Sequence, residues 1–203
     1  MSEFKLPNQL PAIVLPHCTF LPHGLLPLYI FEERYRIMLR HALEHERLFC
    51  VAMAREKNGV ECGDVVRVAT AGMIRACVRN PDGTSHLLLQ GMRRVRFTHW
   101  HDEVEFPMAD VDWIETKVQD PDKCRVDAAT MVKVACKLSE THGTLCQQLR
   151  EHLQSLPDPE PIVDIVAYNF IRCPSTLQEI VECPVLDQRI DIVSGELSKL
   201  VKS

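Results

Sequence analysis

Short apolar runs separated by turn residues fill the first part of the chain, and a helical period takes over after them. Ala12–Leu15, Leu25–Ile30, Leu48–Ala54, Val65–Val78, Leu87–Phe97 and Val104–Ile114 read as strands. Asn80-Pro81-Asp82-Gly83-Thr84 separates two of the longer runs and carries turn residues throughout, which predicts a hairpin. One helix interrupts this half. Phe31, Tyr35, Met38, Leu39 and Ala42 recur at helical spacing, with Arg34, Glu44 and Arg47 elsewhere on the wheel.

Beyond Asp120-Pro121-Asp122 the apolar positions follow the helical period. Ala128, Val132, Ala135, Cys136, Cys146, Leu149, Leu153 and Leu156 predict one long helix, or two broken near Gly143. The prolines of Pro157-Asp-Pro-Glu-Pro161 make a stiff break, and Pro161 suits the first turn of a helix over Ile162–Ile171. Ser175-Thr-Leu-Gln178 has capping-box spacing and predicts the start of a short helix that ends at Cys183-Pro184. Leu186, Ile190, Val193, Leu197 and Leu200 mark a final amphipathic helix. The prediction is an α+β chain: a β-rich part with one inserted helix over residues 1–118, then a helical part over 119–203.

Composition narrows the class. The 203 residues are 46% hydrophobic and 25% charged, values of a folded globular protein rather than a disordered one. A net charge of −5 argues against a dedicated nucleic-acid binder. The nine cysteines are odd in number and form no C-x-x-C pair, so they read as reduced thiols in a cytoplasmic protein, not as a disulfide or zinc framework. Leu6–Phe31 carries no charge, but its five prolines exclude a membrane-spanning helix.

Candidate chemistry is sparse. His41-Ala-Leu-Glu44-His45 matches the H-x-x-E-H pattern, in which two histidines one helical turn apart hold zinc beside a glutamate base. The pattern fixes only three residues, no third ligand suggests itself, and a solvated helix face accounts for both histidines. His99 and His101 share one face of a strand, where an exposed polar edge explains them equally well. No G-x-S-x-G elbow, phosphate-binding loop or dinucleotide fingerprint occurs. The expectation is a protein without catalytic residues, cofactor or metal.

Two binding readings follow. Arg93, Arg94 and Arg96, with Arg75 and Arg79 on the partner strand, form a basic strand region ending in Phe97 that is able to contact RNA phosphates. Acidic neighbours at Asp102, Glu103 and Glu105 offer pairing instead. The second reading starts from Phe20, Leu21, Leu25, Leu26, Tyr29 and Phe31, a dense apolar set on proline-rich chain. Most of these belong in a core, and the rest are free to line a groove for extended polypeptide.

The same opening carries a resemblance. Leu15-Pro16, Leu21-Pro22-His23-Gly24, Leu26-Pro27-Leu28, Ile30-Phe31-Glu32 and Arg34-Tyr35-Arg36 together resemble the start of the Lon protease N-terminal domain family. Gly72, Pro81-Asp82-Gly83, Gly91-Met-Arg93-Arg94-Val-Arg96-Phe97, Asp164, Leu177-Gln178-Glu179 and Arg189 continue it in order. Glu33 and the spacing of Phe20-Leu21-Pro22 depart from the family pattern. The resemblance implies a PUA-like β pseudo-barrel followed by a helical subdomain. It implies a non-catalytic module that recognises unfolded or degron-bearing polypeptide, or works with a protease or ATPase partner. The prolines and the net charge add the expectation of no membrane partner and argue against nucleic acid as one. The candidate peptide contacts are Phe20, Leu21, Tyr29, Arg34, Tyr35 and Arg94. RNA binding ranks second, since some PUA-like folds read RNA, and a zinc hydrolase using His41, Glu44 and His45 ranks last.

Overall fold

Each apolar run of the first part forms a strand, and the turn residues between them decide how the strands meet. In the computed structural model, residues 6–54, 65–101, 104–142 and 147–202 are described, the last two of the third stretch by backbone alone. The chain divides into two units, Met1–Ile114 and Glu115–Ser203. The first holds β1 (Gln9–Leu15), β2 (Leu25–Ile30), α1 (Glu33–Glu44), β3 (Leu48–Met53), β4 (Val68–Arg79), β5 (Ser85–His101) and β6 (Met108–Trp113). Two of these begin later than their apolar runs suggested. Val65–Arg67 precede β4, and Val104–Pro107 precede β6.

The sheet order is β2-β5-β4-β3-β1-β6, and β6 also pairs with β5. That second pairing closes five strands into a ring and leaves β2 as an outer strand. The 17-residue β5 makes this possible by bending. Its first part, Ser85–Gln90, pairs with β2, and Val95–His101 pairs with β6. Register shifts opposite Ala71/Gly72 and at Phe97/His99 supply the turn. The expected hairpin is present, with Asn80 N donating to Thr84 O at 2.8 Å and Gly83 at φ 84° completing the tight loop.

Two layers of side chains hold this unit. Leu10, Cys50, Ala69, Val95 and Val111 meet inside the ring. Tyr35, Met38, Leu39 and Ala42 of α1 are buried where that helix packs on β1 and β3. Tyr35 has a specific task there. β6 pairs with β1 only from Gln9 to Pro11, so the main chain of Val14 lies beyond its reach. The Tyr35 hydroxyl donates to Val14 O at 3.1 Å and accepts from Val14 N at 3.2 Å, replacing the missing strand.

The loop between β1 and β2 turns back over the sheet. His17 and His23 adopt left-handed backbone at φ 53° and 63°, and Phe20 and Leu21 between them are fully buried. Thr70 donates its hydroxyl to Phe20 O at 2.6 Å. His23 N donates to Gly91 O and Gly91 N to Gly24 O, both at 2.9 Å, so the loop's main chain lies directly against the strand.

The second unit is helical: α2 (Pro121–His142), α3 (Gln147–Ser155), α4 (Pro159–Phe170), α5 (Pro174–Glu182) and α6 (Leu186–Lys202). The apolar stretch over 128–156 thus forms two helices. Residues 143–146, where the break was expected, lie outside those described. Asp158 caps α4 by accepting from Glu160 N at 3.0 Å. The capping box expected at Ser175 is not formed. Pro174 already occupies the first turn, Cys173 rather than Ser175 stands at the cap, and Gln178 donates to Glu182 instead. Asp164 of α4 and Arg189 of α6 are both completely buried and paired at 3.1 Å.

Candidate interaction surface

Alternation along β2 points Leu25, Pro27 and Tyr29 to solvent, while Leu26, Leu28 and Ile30 turn inward to varying depth. Register extends the outward row across the sheet. Tyr29 lies opposite His86 of β5, and His86 lies opposite Val78 of β4. Pro27, Leu88 and Ala76 form the next row on the same face. Leu25 is 51% exposed, Tyr29 49%, Phe31 61% and Val78 65%. The Tyr29 ring stacks on His86 at 4.7 Å and on Phe31 at 5.9 Å, which fixes its orientation without covering it. Arg75 borders this face, held by Gln90 at 2.6 Å. A contiguous set of exposed large apolar side chains on a formed sheet is a characteristic of contact surfaces.

The open edge of β2 is less inviting than its face. Gly91 N donates to Gly24 O, and stepping by two along the antiparallel ladder turns the main-chain groups of Pro27 and Tyr29 away from β5. Proline has no N–H to leave unsatisfied there, and it interrupts any ladder that a further strand would build. The geometry therefore favours docking on the face over strand addition.

Nearly the whole chain has a family match as well as a fold. The model of the ATP-dependent protease La (LON) substrate-binding domain matches residues 9–199. The chain belongs to this family. The Lon protease of Dictyoglomus thermophilum is 27% identical over 201 residues, covering 96% of this chain and 25% of the relative. Lon protease of Escherichia coli K12 is 22% identical over 185 residues, covering 90% of the chain and 24% of the relative. The chain thus spans about a quarter of the length of these Lon proteases. Among solved structures, the N-terminal domain of Mycobacterium avium complex Lon protease superposes with a TM-score of 0.72 at 14% identity, covering 94% of this chain and 98% of that one. A Lon N-terminal domain protein from Xanthomonas campestris gives 0.66 at 17%, covering 92% and 97%. The ring-closed sheet with one inserted helix and a following helical region is the fold of Lon N-terminal domains.

Within this Lon substrate-binding domain the six candidate contacts separate. Phe20, Leu21, Tyr35 and Arg94 are buried, at 3% exposure or less, so they shape the unit rather than its surface. Tyr29 lies on the exposed face. Arg34 is exposed, paired with Glu32 at 2.9 Å, and stands over the Tyr35 ring at 4.5 Å. Val78 and His86 were missed by the sequence reading. Counting outward from the Asn80–Thr84 turn pairs them with each other, so hairpin register was the available signal.

The basic region of β5 is only partly open to solvent. Arg93 and Arg96 are exposed while Arg94 is buried, which leaves the RNA reading two cations on β5 instead of three. His41 and His45 stack at 4.1 Å, and His45 Nδ1 lies 2.7 Å from the His41 carbonyl oxygen. Among the described residues no group of three His, Cys, Asp or Glu side chains is placed to hold a metal. His99 and His101 do share a face, at 5.0 Å, with His101 bound to Asp110 at 2.9 Å. No helix among the described residues is long and apolar enough to cross a membrane.

The thiols differ sharply. Burial pushes Cys50 far up, and Cys124 up to about 11. Cys173 is exposed, and hydrogen bonds from Ser175 and Thr176 lower it to about 7. Its thiolate forms as pH rises through about 7, so alkylation by iodoacetamide is expected to accelerate over that range and to run about tenfold or more faster at Cys173 than at Cys124 near neutral pH. Peptide mapping by mass spectrometry after timed labelling reads the two rates.

Proposed function

We propose that the chain is a non-catalytic polypeptide-binding module whose contact surface is the exposed face carrying Leu25, Tyr29, Phe31 and Val78. The observation that carries this reading is the exposure of those four side chains on formed strands and at their ends, where burial by a partner removes apolar surface from water. The family's description as substrate-binding and the relatives' names as proteases support a polypeptide as the occupant. An unfolded or degron-bearing segment supplies apolar side chains in extended conformation, and Pro27 directs it across the face. In this reading the module delivers its occupant to a protease or ATPase in the cytoplasm.

The test is fluorescence anisotropy with a labelled unfolded polypeptide, at near-physiological salt. The unsubstituted chain is expected to saturate at a dissociation constant of about 10 μM, roughly −7 kcal/mol. Combined Tyr29→Ser and Phe31→Ser substitution is expected to weaken binding about tenfold or more with the thermal transition unchanged, since both side chains are already exposed. Undiminished binding by that variant removes the face from the proposal. Binding of a labelled RNA alone, falling steeply with salt, replaces the proposal with the RNA reading.

A further inference from the structure

The α1 side of the β4–β5 hairpin carries a different chemistry. Arg36 and Arg40 of α1 and Arg79 at the end of β4 line a cleft of about 80 Å³, with Leu39, Leu43 and Ser85 among its walls. Arg36 is fixed in place. Its Nε donates to Gly83 O at 3.0 Å, and its Nη1 pairs with Glu33 at 2.8 Å. Gly83 suits that fit, because its φ of 84° favours glycine and a Cβ there would push Arg36 Nη2 out of its place. Arg40 and Arg79 are exposed, and their side chains make no ion pair or hydrogen bond among the described residues.

This arrangement is unusual in a chain of net charge −5. Of the nearby acids, Glu32 pairs with Arg34 and Glu33 with Arg36, while Asp82 accepts from the hydroxyl and N–H of Thr84 and is also held low by the Arg36 charge. Three guanidinium groups thus share one small cleft with, among the described residues, a single direct carboxylate partner. Leu39 is 3% exposed, so part of the wall is apolar and screens charge less than water does. Guanidinium groups bind oxyanions through forked N–H pairs, and convergent cations without counter-ions create that demand.

We propose that this cleft binds one oxyanion group, a phosphate or a carboxylate, through Arg40 and Arg79, with Arg36 as the fixed third cation. The volume of about 80 Å³ is enough for one such group. The anion is either free in solution or carried on an acidic side chain of a bound polypeptide, and the cleft's chemistry is the same for both.

The full 203-residue chain is titrated with inorganic phosphate at constant ionic strength and followed by amide chemical shifts. Saturable shifts are expected at Arg40, Gly83 and Ser85, weakened at least about tenfold in Arg40→Gln and in Arg79→Gln. In parallel, two labelled peptides that differ only in glutamate against glutamine are compared by anisotropy. A glutamate preference that disappears in Arg79→Gln supports the proposal with a polypeptide-borne anion. Phosphate binding without that preference supports it with a free anion. Absence of both saturable shifts and glutamate preference overturns it, as do shifts that persist unchanged in both arginine variants. Tyr29→Ser separates this proposal from the polypeptide-binding face, because it is expected to leave the phosphate titration unaltered whether or not the face binds polypeptide.

Discussion

Replacing Arg189 with alanine is expected to destabilise the chain by about 3–5 kcal/mol, the range for breaking a buried ion pair from one side. Arg189 is fully buried on α6. Its Nη1 donates to both Asp164 oxygens at 3.1 and 3.4 Å, and its Nη2 donates to Glu160 at 3.0 Å and to Thr116 at 2.8 Å. Thr116 also donates to Glu160, so the guanidinium organises a small network within the helical unit. Alanine removes the cation and leaves the Asp164 carboxylate, itself 0% exposed, without its principal charge partner. Glu160 is spared the full penalty because 29% of its side chain reaches solvent. Thermal unfolding should fall by on the order of 10 °C for a chain of this size. The paired substitution Arg189→Met with Asp164→Leu should recover most of that loss, since an apolar pair of similar volume is often as stable as the ions it replaces. Equal losses in the single and paired variants would show that the network's charge is not what the helices depend on.

Gly91→Ala is the second large effect expected, a loss of about 3 kcal/mol at the upper end of overpacking. A Cβ at Gly91 would collide with Leu21 O and stand 3.0 Å from Pro22 Cα. Those are main-chain atoms, so no side-chain rotation relieves the clash. The loop must lift, and it then strains the two hydrogen bonds that Gly91 makes with His23 and Gly24. Gly195→Ala is the natural control. Gly195 sits in α6 with nothing within 4 Å of its absent side chain, and alanine there should add up to about 1 kcal/mol through helix propensity. Urea midpoints for the two variants should therefore move in opposite directions. A Gly91→Ala midpoint that does not fall would mean that the loop is not seated on the strand as described.

The glycines beneath the loop illustrate how much was legible in the sequence. Gly72 and Gly91 stood out as positions shared with the Lon family, but only coordinates show that the Leu89 and Phe20 side chains fill the space above Gly72 and the loop main chain at Leu21 and Pro22 the space above Gly91. Strand and helix periods identified nearly every element, because alternation and the 3.6-residue period report local geometry. They do not report which face is covered. Tyr35 was a candidate contact on its residue type, yet the end of β6 leaves Val14 main-chain groups that its hydroxyl satisfies. Arg94 shares its strand face with Arg96, but Arg94 is covered and Arg96 is open. The capping box failed for a local reason, since proline at 174 starts α5 one residue ahead of Ser175. Val78 and His86 escaped notice because each is unremarkable alone and becomes part of a surface only through cross-strand register.

The pairing of β1 with β6 inside the ring has a consequence for how the chain is made. β1 ends at Leu15 and β6 begins at Met108, so most of the first unit must leave the ribosome before the two can meet. At about 5–20 residues per second, roughly a hundred residues take on the order of 5–20 s of synthesis, during which the ring stands open beside β1. Leu10, Ala12 and Val14 face that unfinished interior throughout. A newly made molecule of this protein is therefore, for that interval, an apolar chain awaiting a strand not yet synthesised, and the length of its exposure is set by translation speed rather than by final stability.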